Sequence, residues 1–95
     1  MSSFRLDAAA ENDLAEIYDY IARDSCAAAD RVIDSFREKF KLLPERPLLG
    51  ELRTEIAPDL RSFVAGNYVV FYRPAKTGVE IARILHAARD VDAQE

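Results

Sequence analysis

The chain has 95 residues, 49% hydrophobic and 32% charged, with a formal net charge of −4. Such a chain forms one globular domain over 1–95, since it is too short for two cores and too apolar to be disordered. The acidic balance argues against a general DNA or RNA binder, which carries a basic excess, and the single cysteine, Cys26, excludes an intramolecular disulfide and a cysteine metal site.

No stretch approaches the roughly 18 apolar residues of a membrane span, and the N-terminus shows no apolar signal segment. With one cysteine, the expected location is the reducing cytoplasm, with no membrane contact. Charge is uneven along the chain. Residues 1–50 carry ten acids and seven bases, residues 51–89 four acids and six bases, and Asp90, Asp92 and Glu95 follow. Ordinary surface charge explains two excess cations, so the asymmetry alone assigns no partner.

Phe4 to Asp7 alternate as a short first strand, and Asp7 is placed to cap a helix through its carboxylate. Leu14, Ile17, Tyr18 and Ile21 follow at the spacing of an amphipathic helix, with acids early and Arg23 near the end, as the helix dipole favours. Asp13, Glu16 and Asp19 read as a solvated helix face rather than metal ligands or general bases. Ser25 caps a second helix beginning at Cys26, with Val32, Ile33, Phe36, Phe40 and Leu43 on its apolar face. The short break at Asp24-Ser25 predicts an antiparallel helix hairpin.

Pro44, Pro47, Gly50 and Pro58 mark residues 44–59 as a long connection, with one helical turn near Leu48. Three strands follow: 60–65, 68–73 and 79–86. Gly66-Asn67 is a two-residue hairpin turn. That turn pairs 65 with 68, 64 with 69, 63 with 70 and 61 with 72. One face then carries Val64, Val69, Phe71 and Ile81 and is expected to be dry, lying on the helices. The other carries Arg61, Phe63, Tyr68, Val70, Tyr72, Ala82, Ile84 and His86 and is expected to be partly open, aromatic and basic at the rim.

Arg61, Tyr68, Tyr72, His86 and Arg89 are the residue types that could act on a phosphodiester, with cations for charge and His86 as acid or base. The same residues also decorate ordinary half-exposed sheets. A lone His86 makes no His-based metal site. Cys26 reads as a small residue starting a helix. No phosphate loop, Walker pattern or nucleophile elbow is present.

The segments AAENDLAEIYDYIARDS, AAADRVIDSFREKFKLLPERPLLGE, LRSFVAGNYVVFYR and GVEIARILHAARD, in this order over Phe4–Asp90, resemble the ParE branch of the ParE/RelE toxin superfamily. The resemblance implies an α+β fold of order β-α-α-β-β-β, a helix hairpin packed on a small curved antiparallel sheet. It implies a bacterial type II toxin that acts on DNA gyrase and is neutralised by a ParD-like antitoxin, with no cofactor. RelE-like relatives cut mRNA on the ribosome. They commonly carry Arg at the start of the middle strand, where Tyr68 stands here, and a phenol does not replace a bidentate cation. They also crowd the site with Lys and Arg, whereas this connection offers only Arg46 and Arg53.

The leading expectation is a non-catalytic gyrase inhibitor that makes no sequence-specific nucleic-acid contact of its own. It would touch its target through Arg61, Tyr68, Tyr72, Arg83, His86 and Arg89, since Arg and Tyr are common interface anchors. An antitoxin tail that folds on binding would cover Tyr18, Phe40, Leu48, Leu49 and Leu52. The alternatives are an mRNA endonuclease using Arg61, His86 and Arg89, and a non-toxic homologue that only binds an antitoxin.

Overall fold

The computed structural model describes residues 3–91, so Asp92 and Glu95 of the acidic tail lie outside the described residues. The elements are β1 (Ser3–Leu6), α1 (Ala8–Ala22), α2 (Cys26–Leu42), a 3-10 turn (Leu43–Glu45), β2 (Glu51–Leu52), β3 (Arg61–Ala65), β4 (Tyr68–Ala75), β5 (Gly78–His86) and a terminal helical turn (Ala87–Val91). The fold is α+β, with the helix hairpin on one face of a sheet ordered β1-β5-β4-β3-β2. The sheet is mixed, because β1 runs parallel to β5, while the other pairs are antiparallel. The sequence signalled the antiparallel hairpins. It held no local signal for β1 pairing across the chain, nor for β2, which is two residues long.

Ser25 caps α2 as expected, its hydroxyl accepting from the Ala28 N–H at 3.1 Å. Asp7 occupies the cap of α1, but its side chain makes no cap bond. Its carboxylate faces Arg73 Nη1 at 3.4 Å instead. The helical turn of the connection falls at Leu43–Glu45, earlier than expected, because Pro44 suits the first turn of a helix. In the hairpin turn only Gly66 has positive φ (61°), the pattern of a type II′ turn.

The β3–β4 register is the one the turn dictates. The two faces of the sheet are the reverse of the expectation. Phe63, Tyr68, Val70, Tyr72, Ile81 and Ile84 join Ile17, Phe36, Phe40 and Leu43 in the main core beneath the helices. Large aromatic area outweighs the hydroxyl as a driver of burial once that hydroxyl finds partners. Phe71 and Leu85 sit on the outer face with Leu60, Val69 and Ala82, covered by Ala57 of the 53–60 connection. Val64 lies on that face uncovered.

The expected faces of the last strand follow from pairing Arg73 with Val79, but the structure pairs Arg73 with Glu80, because the turn is only Lys76-Thr77, and a bulge follows. Phe71 pairs with Arg83 but Tyr72 pairs with Ile81, so Ala82 has no partner on β4. The turn register itself sets Ile81 opposite Tyr72 on the helix face, and the extra residue at Ala82 then brings Ile84 and His86 opposite Val70 and Tyr68.

Candidate functional surfaces

Two rows of side chains cross the sheet and separate the sequence-predicted residues. Ala65, Tyr68 and His86 form one row, and Arg61, Tyr72 and Ile81 the other. They lie four positions apart along β3 and β4, a spacing of about 13 Å.

The first row opens onto a cluster of rings and cations. Tyr68 meets His86 edge to face at 5.3 Å and Phe36 at 5.5 Å. The Arg89 N–H donates to His86 Nδ1 at 3.1 Å, and a neutral His86 then carries its own proton on Nε2. The Arg89 guanidinium lies 5.5 Å from the ring centre of Tyr20, and that of Arg23 lies 6.0 Å from the same ring. Cations held on an aromatic face gain about 0.5–1 kcal/mol at exposed sites. Tyr20 is 58% exposed. The structure thus brings together Tyr68, His86 and Arg89, and adds Tyr20 and Arg23, which sequence reasoning missed. Tyr20 and Arg23 are three apart on α1, a spacing that places them on one face. Nothing local connects either to Arg89.

The second row is a brace. Tyr72 is fully buried; its hydroxyl donates to the Pro47 carbonyl at 2.9 Å and accepts from the Gly50 N–H at 2.7 Å. Arg61 Nη1 donates to the carbonyls of Gly50 at 2.8 Å and Leu48 at 3.3 Å. A Cβ on Gly50 would stand 2.7 Å from the Tyr72 ring and 2.8 Å from the Ser62 carbonyl, so only glycine fits there. As folded, Tyr72 presents no surface to a target and acts by holding this loop.

Arg83 belongs to a third arrangement. β1 ends at Leu6, paired with Ile81, and the β5 edge beyond it lies against α1. There the buried Asp13 carboxylate accepts from the Ile84 N–H at 2.9 Å and from Arg83 Nε at 2.8 Å and Nη2 at 3.2 Å. Asp13 therefore extends the ladder where β1 stops, and is not part of a solvated face. An acid at that helical position carries no signal of a strand 70 residues away.

Of the expected antitoxin contacts, Leu48, Leu49 and Leu52 are 66%, 61% and 46% exposed. They lie on and beside the loop braced by Tyr72 and Arg61. Tyr18 and Phe40 line a separate groove of ≈ 540 Å³ between the helices and β1, with Phe40 buried at its base. A hydrogen bond to Asp30 raises the Tyr18 phenol above its ordinary value. Among the described residues no group of three His, Cys, Asp or Glu could hold a metal ion, and no helix is long and apolar enough to cross a membrane. Cys26 is exposed and free.

Comparison with known proteins agrees with this architecture. Residues 4–91 match the family model of the ParE toxin of type II toxin–antitoxin systems, parDE. Toxin RelE3 of Caulobacter vibrioides is 33% identical over 88 residues, covering 92% of this chain and 96% of the relative. Toxin ParE1 of the same organism is 29% identical over 96 residues, covering 98% and 97%. Among solved structures, a chain of the chromosomal ParDE system from P. aeruginosa shares the fold with a TM-score of 0.74 at 24% identity, over 90% of this chain and 96% of that one. A chain of the RelBE2 toxin–antitoxin complex from Mycobacterium tuberculosis gives 0.62 at 26% identity, with the same coverage. With the family model spanning nearly every residue, the chain belongs to the ParE toxin family of type II toxin–antitoxin systems.

Proposed function

We propose that this toxin inhibits DNA gyrase by binding it, without making or breaking a bond itself, and that a ParD-like antitoxin neutralises it in the bacterial cytoplasm. The observation that carries the reading is the dispersal of the groups a phosphodiesterase would need. Arg61 lies in the row about 13 Å from His86 and donates to backbone carbonyls. General acid–base catalysis requires its groups within hydrogen-bond reach of one reacting centre. The target surface on this reading is Tyr68, His86 and Arg89 with Tyr20 and Arg23, while Arg61 and Tyr72 hold the loop that offers Leu48 and Leu49 to the antitoxin. The test is a gyrase supercoiling and cleavage assay with purified chain beside Arg89→Ala. Inhibition that weakens in the variant supports the proposal; unchanged gyrase activity in the presence of folded chain refutes it.

A second reading, ribosome-dependent mRNA cleavage, draws on the identity to a toxin named RelE3 and on the adjacency of His86 and Arg89. It requires cleavage of message on ribosomes that His86→Ala abolishes. Intact message in that assay removes it.

A further inference from the structure

Of the residues lining a groove of ≈ 370 Å³ between α2 and the β3–β4 turn, only Tyr68 has a role in the assignments above. Phe36 and Ala65 form its buried floor, Val32 and Tyr68 its apolar walls, and Arg31 and Lys39 its rim. Arg31, Ser35 and Lys39 recur every four residues along α2 and so share one face. The acids of the same helix, Asp30, Asp34 and Glu38, do not line the groove. The lining therefore holds two cations and no carboxylate, in a chain whose net charge is −4. Lys39 Nζ donates to Ser35 Oγ at 3.0 Å, and neither cation is in an ion pair among the described residues.

We propose that this groove docks a peptide segment of a partner protein in which one or two apolar side chains are flanked by carboxylates. The apolar floor takes the aliphatic side chain, and Arg31 and Lys39 take the carboxylates at the rim. Rim charges of this kind select partners by sign and speed encounter more than they add affinity. Single-stranded nucleic acid fits less well, because it binds by stacking bases on open aromatic faces. Phe36 is buried here, and Tyr68 is already in ring contact with Phe36 and His86.

This inference rests on the reading that a partner protein neutralises the chain, and it adds the place and the chemistry. The groove shares Tyr68 with the ring cluster assigned to the target. A segment seated in it covers Tyr68, whose ring meets that of His86, so one contact hides part of the target surface.

The test uses the full chain, labelled for NMR, and a synthetic 15-residue peptide with two leucines flanked by glutamates. The control peptide has lysine in place of each glutamate, and a third probe is a single-stranded RNA of similar length. The acidic peptide is expected to shift the amides of residues 65–68 and of the α2 face from Ala28 to Lys39. It should bind at least roughly tenfold tighter than the lysine control, with the preference weakening as salt rises. The double variant Arg31→Glu, Lys39→Glu should lose this binding while unfolding at a temperature close to the parent's. Shifts that map elsewhere, equal binding of the lysine peptide, tighter binding of RNA, or no binding at about 1 mM peptide would each overturn the proposal. Gyrase inhibition is measured on the same double variant. If inhibition persists while peptide binding is lost, Arg31 and Lys39 serve the partner and not the target, and the two surfaces meet only at Tyr68, as proposed. If the parent itself leaves gyrase unaffected, the functional reading fails whatever the groove does.

Discussion

Replacing Asp13 tests whether a helix carboxylate completes the sheet. In Asp13→Ala the Ile84 N–H loses its acceptor at 2.9 Å in a buried setting. Stranding a buried donor costs about 1–3 kcal/mol. The lost contacts to Arg83 add less, because that side chain is 47% exposed and an exposed ion pair contributes about 0–1 kcal/mol. Alanine returns a few tenths of a kcal/mol as a better helix former within α1. The net loss is about 1–3 kcal/mol. For a domain of this size that lowers Tm by roughly 5–20 °C, at about 4–8 °C per kcal/mol. Asp13→Asn separates the two contributions. Its amide oxygen can still accept from the Ile84 N–H and Arg83 Nε, while the charge and the acceptor for Arg83 Nη2 are lost at a half-exposed side chain, so its loss should be about 1 kcal/mol. Thermal unfolding by circular dichroism gives the ranking, and hydrogen exchange at the Ile84 amide gives the mechanism. Protection at Ile84 should fall in the alanine variant and persist in the asparagine variant. Equal Tm losses for the two variants, or Ile84 protection unchanged in Asp13→Ala, would refute the bridging role.

Tyr72→Phe removes two buried hydrogen bonds of the 47–50 loop and should cost about 1–3 kcal/mol in urea unfolding while faster exchange appears at the Gly50 amide. Gly50→Ala should destabilise at least as much, since the added carbon would press on the Tyr72 ring and the Ser62 carbonyl; a Tm within about 2 °C of the parent would contradict the close packing. Leu48→Asp with Leu49→Asp should leave the free chain's stability nearly unchanged, because both side chains are exposed, yet reduce the rise in Tm that saturating antitoxin produces. In the pH profile, a hydrogen bond to Asp30 raises the Tyr18 phenol, so its contribution is complete below its ordinary value of 10.0 and is lost as pH climbs through the folded value. Asp30→Asn should therefore flatten the alkaline limb of a Tm–pH curve. Glu55 runs the other way: a backbone N–H and then Arg53 hold its carboxyl below the ordinary 4.5, so its small contribution is present above that value and fades with acid. Arg53→Ala should diminish that acid dependence.

The parts legible in sequence were those set by neighbours along the chain. Apolar spacing placed both helices, Ser25 marked a cap, and Gly66-Asn67 fixed the β3–β4 register residue by residue. The errors came from decisions taken across the fold. Both faces of the β3–β4 hairpin are apolar enough to be buried, so alternation alone could not say which one meets the helices. Tyr68 and Tyr72 are amphipathic in sequence, which points them toward solvent. In the structure Tyr72 is enclosed because the Pro47 carbonyl and the Gly50 N–H satisfy its hydroxyl. Ala82 gave no sign of a bulge, and without the bulge the β5 register shifts. Asp13, Tyr20 and Arg23 owe their roles to β5 and to the turn that follows it. Helical periodicity carries no information about such partners.

Tyr68 shows why the same scaffold need not carry the same chemistry. The resemblance places it where ribosome-dependent toxins would hold an arginine, and here its ring is built into the core through Phe36 and touches His86. An arginine at this point would bring a guanidinium beside His86 and Arg89 but would remove the ring contacts that fix the His86 plane. It would also leave Arg61 about 13 Å away along the strands, donating to the loop carbonyls. One substitution thus cannot assemble the charge clamp that phosphoryl chemistry needs. On the proposed reading, Tyr68→Arg is expected to weaken gyrase inhibition without producing ribosome-dependent cleavage. Message cut by that variant, and left intact by the parent, would show that the Tyr68 end of the sheet suffices for catalysis and that the dispersal of Arg61 is immaterial.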